Sequence, residues 1–310
     1  MNRSLTADLS LLAVVFVWGA TFVIVQDAIS FLAPFSFNAI RFFLGFAALG
    51  IVYLLFSEKK KGHFSKGALK SGFILGFWLC LGYGLQTLGL LYTTPAKAGF
   101  ITGLSVVLVP LLSFLLFKQH LNRNMVLGVI SATVGLYMIT MLQASAFGTG
   151  DFLVLLSAVC FAMQIITTGR YAQKYAALPL TLIQIATVSI LSFVFSLLFE
   201  HPAEMYRLDV LMKKEVIIAL LITSLFATAF AFLAQTYFQT YTTASRVALI
   251  FALEPVFAAL TSYVMIGEKF TISMVIGCLF IFAGIIAAEI PVKKRVVIDN
   301  QDEEIIEEVG

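Results

Sequence analysis

The sequence predicts an all-α integral membrane protein of ten transmembrane helices, arranged as two inverted five-helix repeats. Three observations predict it. The chain is 60% hydrophobic and only 12% charged over 310 residues, whereas a soluble domain carries about 25% charged side chains to cover its surface. The apolar residues gather into ten runs of the length, about 20 residues, that a helix needs to cross roughly 30 Å of hydrocarbon. The second half of the chain also repeats the first.

The runs lie at 9–26, 35–56, 68–91, 98–117, 125–142, 152–169, 178–199, 216–238, 244–266 and 272–290. Polar or turn-forming connectors separate them: 27–34 ending in Pro34, 58–62 with three lysines, Thr93-Thr94-Pro95, and 143–150. Strands of a membrane barrel would alternate over about ten residues, and these runs do not. The first run lacks a small-residue cleavage site, so it is expected to be a retained span rather than a signal peptide. Cys80, Cys160 and Cys278 all fall inside apolar runs, which suggests neither a disulfide framework nor a metal cluster.

Basic residues orient the spans, because cytoplasmic loops collect Lys and Arg. With the N-terminus inside, fourteen bases are cytoplasmic and five are external, leaving Arg41 alone within a span. Both termini are therefore expected in the cytoplasm of a multi-pass protein of the cell (plasma or inner) membrane. Lys59, Lys60, Lys61, Lys66 and Lys70 would anchor that face to anionic lipid. The last twelve residues hold six carboxylates and no base, so the tail is expected to be solvated and disordered.

A shift of 149 residues superimposes the third to fifth runs on the eighth to tenth without a gap. Gln86-Thr87 meets Gln235-Thr236, Tyr92-Thr93-Thr94 meets Tyr241-Thr242-Thr243, Lys97 meets Arg246, and Gly128 and Gly135 meet Gly277 and Gly284. Fourteen of the 50 positions from 86 to 135 are identical. A shift of about 143 lays Asp8 on Asp151 and Thr21 on Gln164, and Pro34 and Pro179 match similarly. The expected units are 1–146 and 147–292, followed by a tail at 293–310. Five spans is an odd number, so the second unit must be inverted relative to the first. Inverted repeats are the architecture of alternating-access secondary transporters, whose cargo binds near the midplane between the halves.

Trp18-Gly19-Ala20-Thr21-Phe22, Asn38-Ala39-Ile40-Arg41-Phe42, Gly99-Phe100-Ile101-Thr102-Gly103-Leu104 and Leu253-Glu254-Pro255-Val256-Phe257 with Gly267-Glu268 carry a resemblance. Together they resemble the EamA-type transporters of the drug/metabolite transporter superfamily, over nearly the whole chain up to about residue 290. The resemblance implies ten helices, a central cavity walled by the first, third, fourth, sixth, eighth and ninth, and export of a small metabolite such as an amino acid or its analogue. The first half departs from the pattern, with Lys118-Gln119-His120 where the second has Gly267-Glu268-Lys269.

The candidates follow from what a bilayer penalises. A carboxylate in hydrocarbon costs several kcal/mol unless neutralised, paired or hydrated, so Glu254, beside a helix-kinking Pro255, is a candidate cargo ligand or proton-coupling site. It could equally be a structural acid holding the kink. Arg41 could bind a cargo carboxylate, cap helix ends, or pair with Asp27 or Glu254. Lys97 and Arg246 oppose the macrodipole at helix N-termini, which lipid phosphate could offset; alternatively they are gate residues. Trp18, Thr21, Gln86, Gln164 and Gln235 are candidates for the cavity wall; the amides could equally bridge helices and Trp18 could merely pack at mid-depth, whereas Trp78 and Tyr83 suit the core or the interfacial belt. The small residues Gly72/Gly76 and Gly99/Gly103 suit close helix packing. The Gly128/Gly135 and Gly277/Gly284 faces form a seam that could be intramolecular or join a homodimer.

His63, His120 and His201 fall in connectors, and no phosphate loop, nucleophile elbow or zinc-protease motif is present. No cofactor, metal, catalytic residue or nucleic-acid partner is expected; the partners expected are a small-molecule substrate and membrane lipid. The competing reading, a membrane-embedded enzyme or scaffold acting on lipid, would need polar catalytic residues clustered at one interface.

Overall fold

The computed structural model describes residues 3–56, 64–118, 122–140, 147–201, 207–266 and 271–290. Lys59–Lys61, His63, Gln119-His120, Gly267-Glu268-Lys269 and the tail from residue 293 lie outside them. In chain order the helices are α1 Arg3–Ile29, α2 Pro34–Phe56, α3 Lys66–Gly89, α4 Pro95–Gly103, α5 Ser105–Phe117, α6 Arg123–Thr140, α7 Thr149–Tyr171, α8 Ala177–Phe199 and a single turn α9 Leu208–Leu211. There follow α10 Lys214–Ser224, a π-helical turn Leu225–Phe230, α11 Ala231–Phe238, a 3₁₀ turn Gln239–Tyr241, α12 Ala244–Phe251, α13 Glu254–Ile266 and α14 Ile272–Glu289. The described residues contain no strand.

Eight helical stretches among them are long and apolar enough to cross a membrane, with α4–α5, α10–α11 and α12–α13 each counting as one. The other two predicted runs form α6 and α14, helices of 18 residues each. Outward-facing side chains such as Leu55, Phe56, Leu198, Phe199, Leu279 and Ile286 are largely exposed. That is a surface suited to acyl chains and not to water.

The helix starts are written locally. Thr94 and Thr243 are repeat mates, and each is an N-cap whose hydroxyl accepts from the backbone N–H three residues on, at Lys97 and Arg246. Pro95 then occupies the first turn of α4, where its missing N–H costs no helical bond. At the face that carries Thr94, Glu200 at the end of α8 accepts from the Phe35 and Ser36 backbone N–H groups at 2.6 and 2.9 Å and from the Ser36 hydroxyl at 2.7 Å. It is a cross-chain cap on the positive end of α2.

Two helices are broken at matching places. After α4 the Leu104 amide reaches both Phe100 and Ile101 carbonyls at 3.2 Å; after α12 the Leu253 amide falls back to Ile250 at 3.1 Å. Pro255 explains the second break, having no N–H to offer. Two residues separate α12 from α13 and one separates α4 from α5, and α13 packs on α4 while α12 packs on α5. The two breaks therefore cross at the centre of the molecule. Contacts between the halves come in matched sets: α3 lies on α7 as α11 lies on α1, and α4–α5 lie on α7 as α12–α13 lie on α1. The α6–α14 and α2–α8 contacts exchange with themselves.

The α6–α14 contact consumes the glycine faces. A Cβ on Gly128 would meet the Gly284 carbonyl, and one on Gly135 the Gly277 carbonyl. The seam is thus within one chain, and these glycines give no basis for a dimer. Gly72 and Gly76 seat α3 on Leu180, Ile183, Gln184 and Thr187 of α8 in the same manner.

Candidate functional site

Helices α1, α2, α3, α4, α5, α7, α11, α12 and α13, drawn from both halves, surround one central cavity. Its volume is about 60 Å³. The cavity is a slender slot, not a vestibule. Its wall includes Trp18, Thr21, Arg41, Gln86, Gln164 and Glu254, six of the residues singled out by sequence, together with Tyr83, Thr102, Ser105 and a set of phenylalanines. On α1 the lining runs from Trp18 to Val25 and on α3 from Leu79 to Leu90. The slot therefore extends from mid-helix toward the end of the molecule that carries Lys97.

The aromatic wall is fixed in place. Trp18 lies edge-on to Phe251 at 5.0 Å between centroids and tilted against Phe232 at 5.4 Å. Its indole N–H donates to the Ala227 carbonyl at 2.9 Å. That carbonyl belongs to the π-helical turn, whose wider ladder displaces backbone groups from their usual partners. Next to Trp18, Gly19 lets α1 approach α13: a Cβ there would lie 2.6 Å from the Glu254 carbonyl oxygen. The Trp-Gly pair thus serves both the wall and the approach that brings Glu254 to it.

Arg41 is 3% exposed and also converges on the π-helical turn. Its Nε donates to Thr228 Oγ1 at 2.9 Å, and its second terminal nitrogen donates to the Ala227 carbonyl and the Tyr83 hydroxyl, each at 3.4 Å. The guanidinium lies 4.6 Å from the Tyr83 ring centroid, within cation–π range. Pairing with Asp27 or Glu254, considered from sequence, does not occur: every one of these partners is neutral. Glu254 opens α13 at the break, 8% exposed. Its carboxyl makes no hydrogen bond with a described residue.

The amides behave unequally. Gln86 lines the cavity and donates to Thr102 Oγ1 at 3.0 Å, joining α3 to α4. Gln235, its repeat mate, does not reach the cavity. It is fully buried one layer behind, donating to Gln164 Oε1 at 3.2 Å and facing Gln239 at 3.5 Å. Gln239 donates to the Ile165 carbonyl at 2.6 Å. This ladder fills in the second half the space that its counterpart leaves open in the first. Of the two roles open to these amides, Gln86 lines the cavity and Gln235 bridges helices.

Lys97 and Arg246, expected to contact lipid or to act as gate residues, both find carboxylates. Lys97 is 6% exposed, beyond the reach of lipid phosphate, and its Nζ lies 2.9 Å from Asp151 Oδ2. Asp151 also accepts from Thr93 Oγ1 at 2.5 Å and the Gly148 backbone N–H at 2.9 Å. It sits in the first turn of α7, where the macrodipole favours a carboxylate. Arg246 pairs with Asp8 Oδ2 at 2.5 Å. Since Lys97 matches Arg246 and Asp151 matches Asp8, the two ion pairs are copies of each other with the halves exchanged, one at each end of the molecule. In each case a carboxylate of the other half offsets the unfavourable position of the base.

A profile of the EamA-like transporter family matches residues 5–141 and again 148–288. The chain belongs to the EamA-like transporter family. EamA proteins form part of the drug/metabolite transporter superfamily, and this one is accordingly a multi-pass transmembrane transporter. An uncharacterized transporter of Archaeoglobus fulgidus is 36% identical over 290 residues, covering 94% of this chain and 88% of its own. The uncharacterized transporter YoaV of Bacillus subtilis is 24% identical, covering 89% and 94%. A solved crystal structure with 19% identity superimposes with a TM-score of 0.74 over 92% of this chain and 96% of that one, and so shares the EamA fold.

Tyr83, assigned to core or belt, is buried in the core, and it also lines the cavity beneath Arg41, a role that sequence reasoning missed. Sequence reasoning also aligned Asp8 with Asp151 without giving either a role. The signal was present: each acid matches the other under the repeat, as Lys97 matches Arg246, and a buried base at a helix N-terminus requires an acid.

Proposed function

We propose that this protein is a secondary transporter that crosses the cell membrane ten times, with both termini cytoplasmic and its halves inverted, and exports a small metabolite such as an amino acid or its analogue by alternating access. The ten crossings count α6 and α14 as membrane helices that lean on each other along the glycine seam. The observation that carries the reading is the pair of exchanged ion pairs, Lys97–Asp151 and Arg246–Asp8, at opposite ends of the molecule.

Each ion pair joins one half to the other, so rocking the halves parts one pair while keeping its copy. With the N-terminus inside, Lys97–Asp151 is the outer gate and Arg246–Asp8 the inner. The outer gate is the thinner seal, because the slot already runs toward it, and its helices meet backbone to backbone at Gly89 and Gly150. The inner end is backed by the Gln164–Gln235–Gln239 ladder. Glu254, at the helix break, is the group placed to exchange a proton or hold a cargo ammonium.

Reconstitution tests this directly. Proteoliposomes preloaded with unlabelled amino acids should accumulate the labelled form by counterflow, and protein-free vesicles should not. No counterflow with any amino acid or analogue would overturn the cargo class. Flux that requires ATP would overturn the secondary mechanism.

A further inference from the structure

We infer that Arg41 is the residue that selects the cargo, and that the group it selects is a carboxylate. The inference rests on the transporter reading above and extends it to the chemistry of recognition.

A guanidinium does not lose its proton inside a protein, so Arg41 is a fixed positive charge within a membrane-crossing helix. Such a charge is ordinarily matched by an acid. Here its hydrogen bonds go to one hydroxyl of Thr228, one of Tyr83 and one carbonyl, all neutral. No described carboxylate lies within ion-pair distance of it, although Glu254 lines the same cavity. One terminal nitrogen makes no hydrogen bond to a described residue, and the residue faces the cavity. The Tyr83 ring beneath, and Thr228 at Nε, hold the plane of the group in one orientation. What is presented to the slot is a fixed, uncompensated guanidinium with one terminal nitrogen unspent, beside a second whose two contacts are long, at 3.4 Å, and can yield one N–H to complete a fork.

A planar fork matches a carboxylate through two parallel N–H···O bonds. A phosphate ester fits less well, because it brings about −1.5 to −2 charges near pH 7, and among the described residues the cavity wall offers Arg41 as its one cation beside an acid. Trp18, Phe161, Phe232 and Phe251 leave apolar space for the remainder of the cargo. A neutral analogue entering the slot leaves Arg41 buried without a counter-charge. Discrimination against it follows from that unpaired group, as in any site whose buried polar atoms expect a partner.

The cargo itself can be found by the same experiment that tests the residue. Proteoliposomes with the wild type, Arg41→Gln or Arg41→Lys are loaded with a deproteinised cell extract, and released compounds are identified by mass spectrometry against protein-free vesicles. Compounds released by the wild type should carry a free carboxylate. Their initial release should fall at least about 100-fold in Arg41→Gln and about tenfold in Arg41→Lys, which keeps the charge and loses the fork. Only variants that elute as a single species in detergent are compared. Should Arg41→Gln not fold, competition by a carboxylate and by its own amide on the wild type decides, and equal competition overturns the inference. Release of compounds without an anionic group, preferential release of phosphorylated compounds, or undiminished release from Arg41→Gln would overturn it while leaving transport intact. No release by the wild type would overturn the transporter reading, and this inference with it.

Discussion

Lys97 and Asp151 meet at 2.9 Å across the two halves of the chain, and the repeat, through its shifts of 149 and 143 residues, maps this pair onto Arg246 and Asp8, which meet at 2.5 Å at the opposite end. Neither pair is local in sequence, and each joins residues near the starts of two helices, one from each half. The relation ties an internal duplication to four side chains.

If these pairs are gates, weakening one should open one end. In a background without the native cysteines, Asp151→Asn should speed modification of Leu90→Cys by a water-soluble thiol reagent about tenfold. Asp8→Asn should not speed modification at that site. Breaking a buried pair also costs about 3–5 kcal/mol, so unfolding of Asp151→Asn should be followed alongside. Equal labelling in both variants would remove the gating assignment.

Glu254 opens the second broken helix with no described partner for its carboxyl. Replacing it with Gln preserves shape and hydrogen bonding and removes proton exchange. The expected outcome is a folded protein that still exchanges cargo down its gradient but no longer drives uphill transport with an imposed pH gradient. Uphill transport equal to wild type would show that the proton moves elsewhere or not at all.

Along the α6–α14 seam, Gly135→Ala places its new methyl group against the Gly277 carbonyl and the Ile281 side chain. Backbone cannot yield as a flexible side chain does, so a loss of about 3 kcal/mol is expected, read as lower thermal stability in detergent. Gly50→Ala, where a Cβ meets nothing within 4 Å, should leave that stability unchanged. Similar stability for the two would mean that the seam is looser than its backbone contacts require.

Glu200 should matter to α2 although the two are far apart in sequence. Glu200→Ala strips acceptors from the Phe35 and Ser36 amides, and loss of such a cap costs about 1–2 kcal/mol. Amide hydrogen exchange over residues 35–38 should rise before any change elsewhere. Unchanged protection there would show that water replaces the carboxylate without loss.

Much of this architecture is legible in the chain because a bilayer leaves few options. Apolar length announces spans, and the gapless match of Gln86 to Gln235 announces duplication. Trp18, Thr21, Gln86, Gln164, Arg41 and Glu254 stand out because polar or amphipathic groups in such runs need a reason. The same logic overreaches at Gln235. Symmetry in sequence predicts equivalent surroundings, but Gln164 opposite it has Thr21 as its counterpart, so one amide finds another amide and the other finds space. Tyr83 escapes notice because a tyrosine in a membrane helix is ordinary until an arginine from another helix lies over it. The π-helical turn has no sequence signature at all: Leu-Phe-Ala-Thr-Ala-Phe continues an ordinary apolar helix.

That turn makes chain length, and not only composition, a determinant of the cavity. A π-helical turn takes up one residue more than an α-helix would, so Phe232, Gln235 and Gln239 stand about 100° around the axis from where an unbroken helix would place them. Removing a single residue between 225 and 230 would swing the glutamine ladder and the Phe232 ring to new faces at one stroke, and withdraw the Ala227 carbonyl from both Trp18 and Arg41. A one-residue deletion here would therefore rebuild the cavity wall without substituting any residue that lines it.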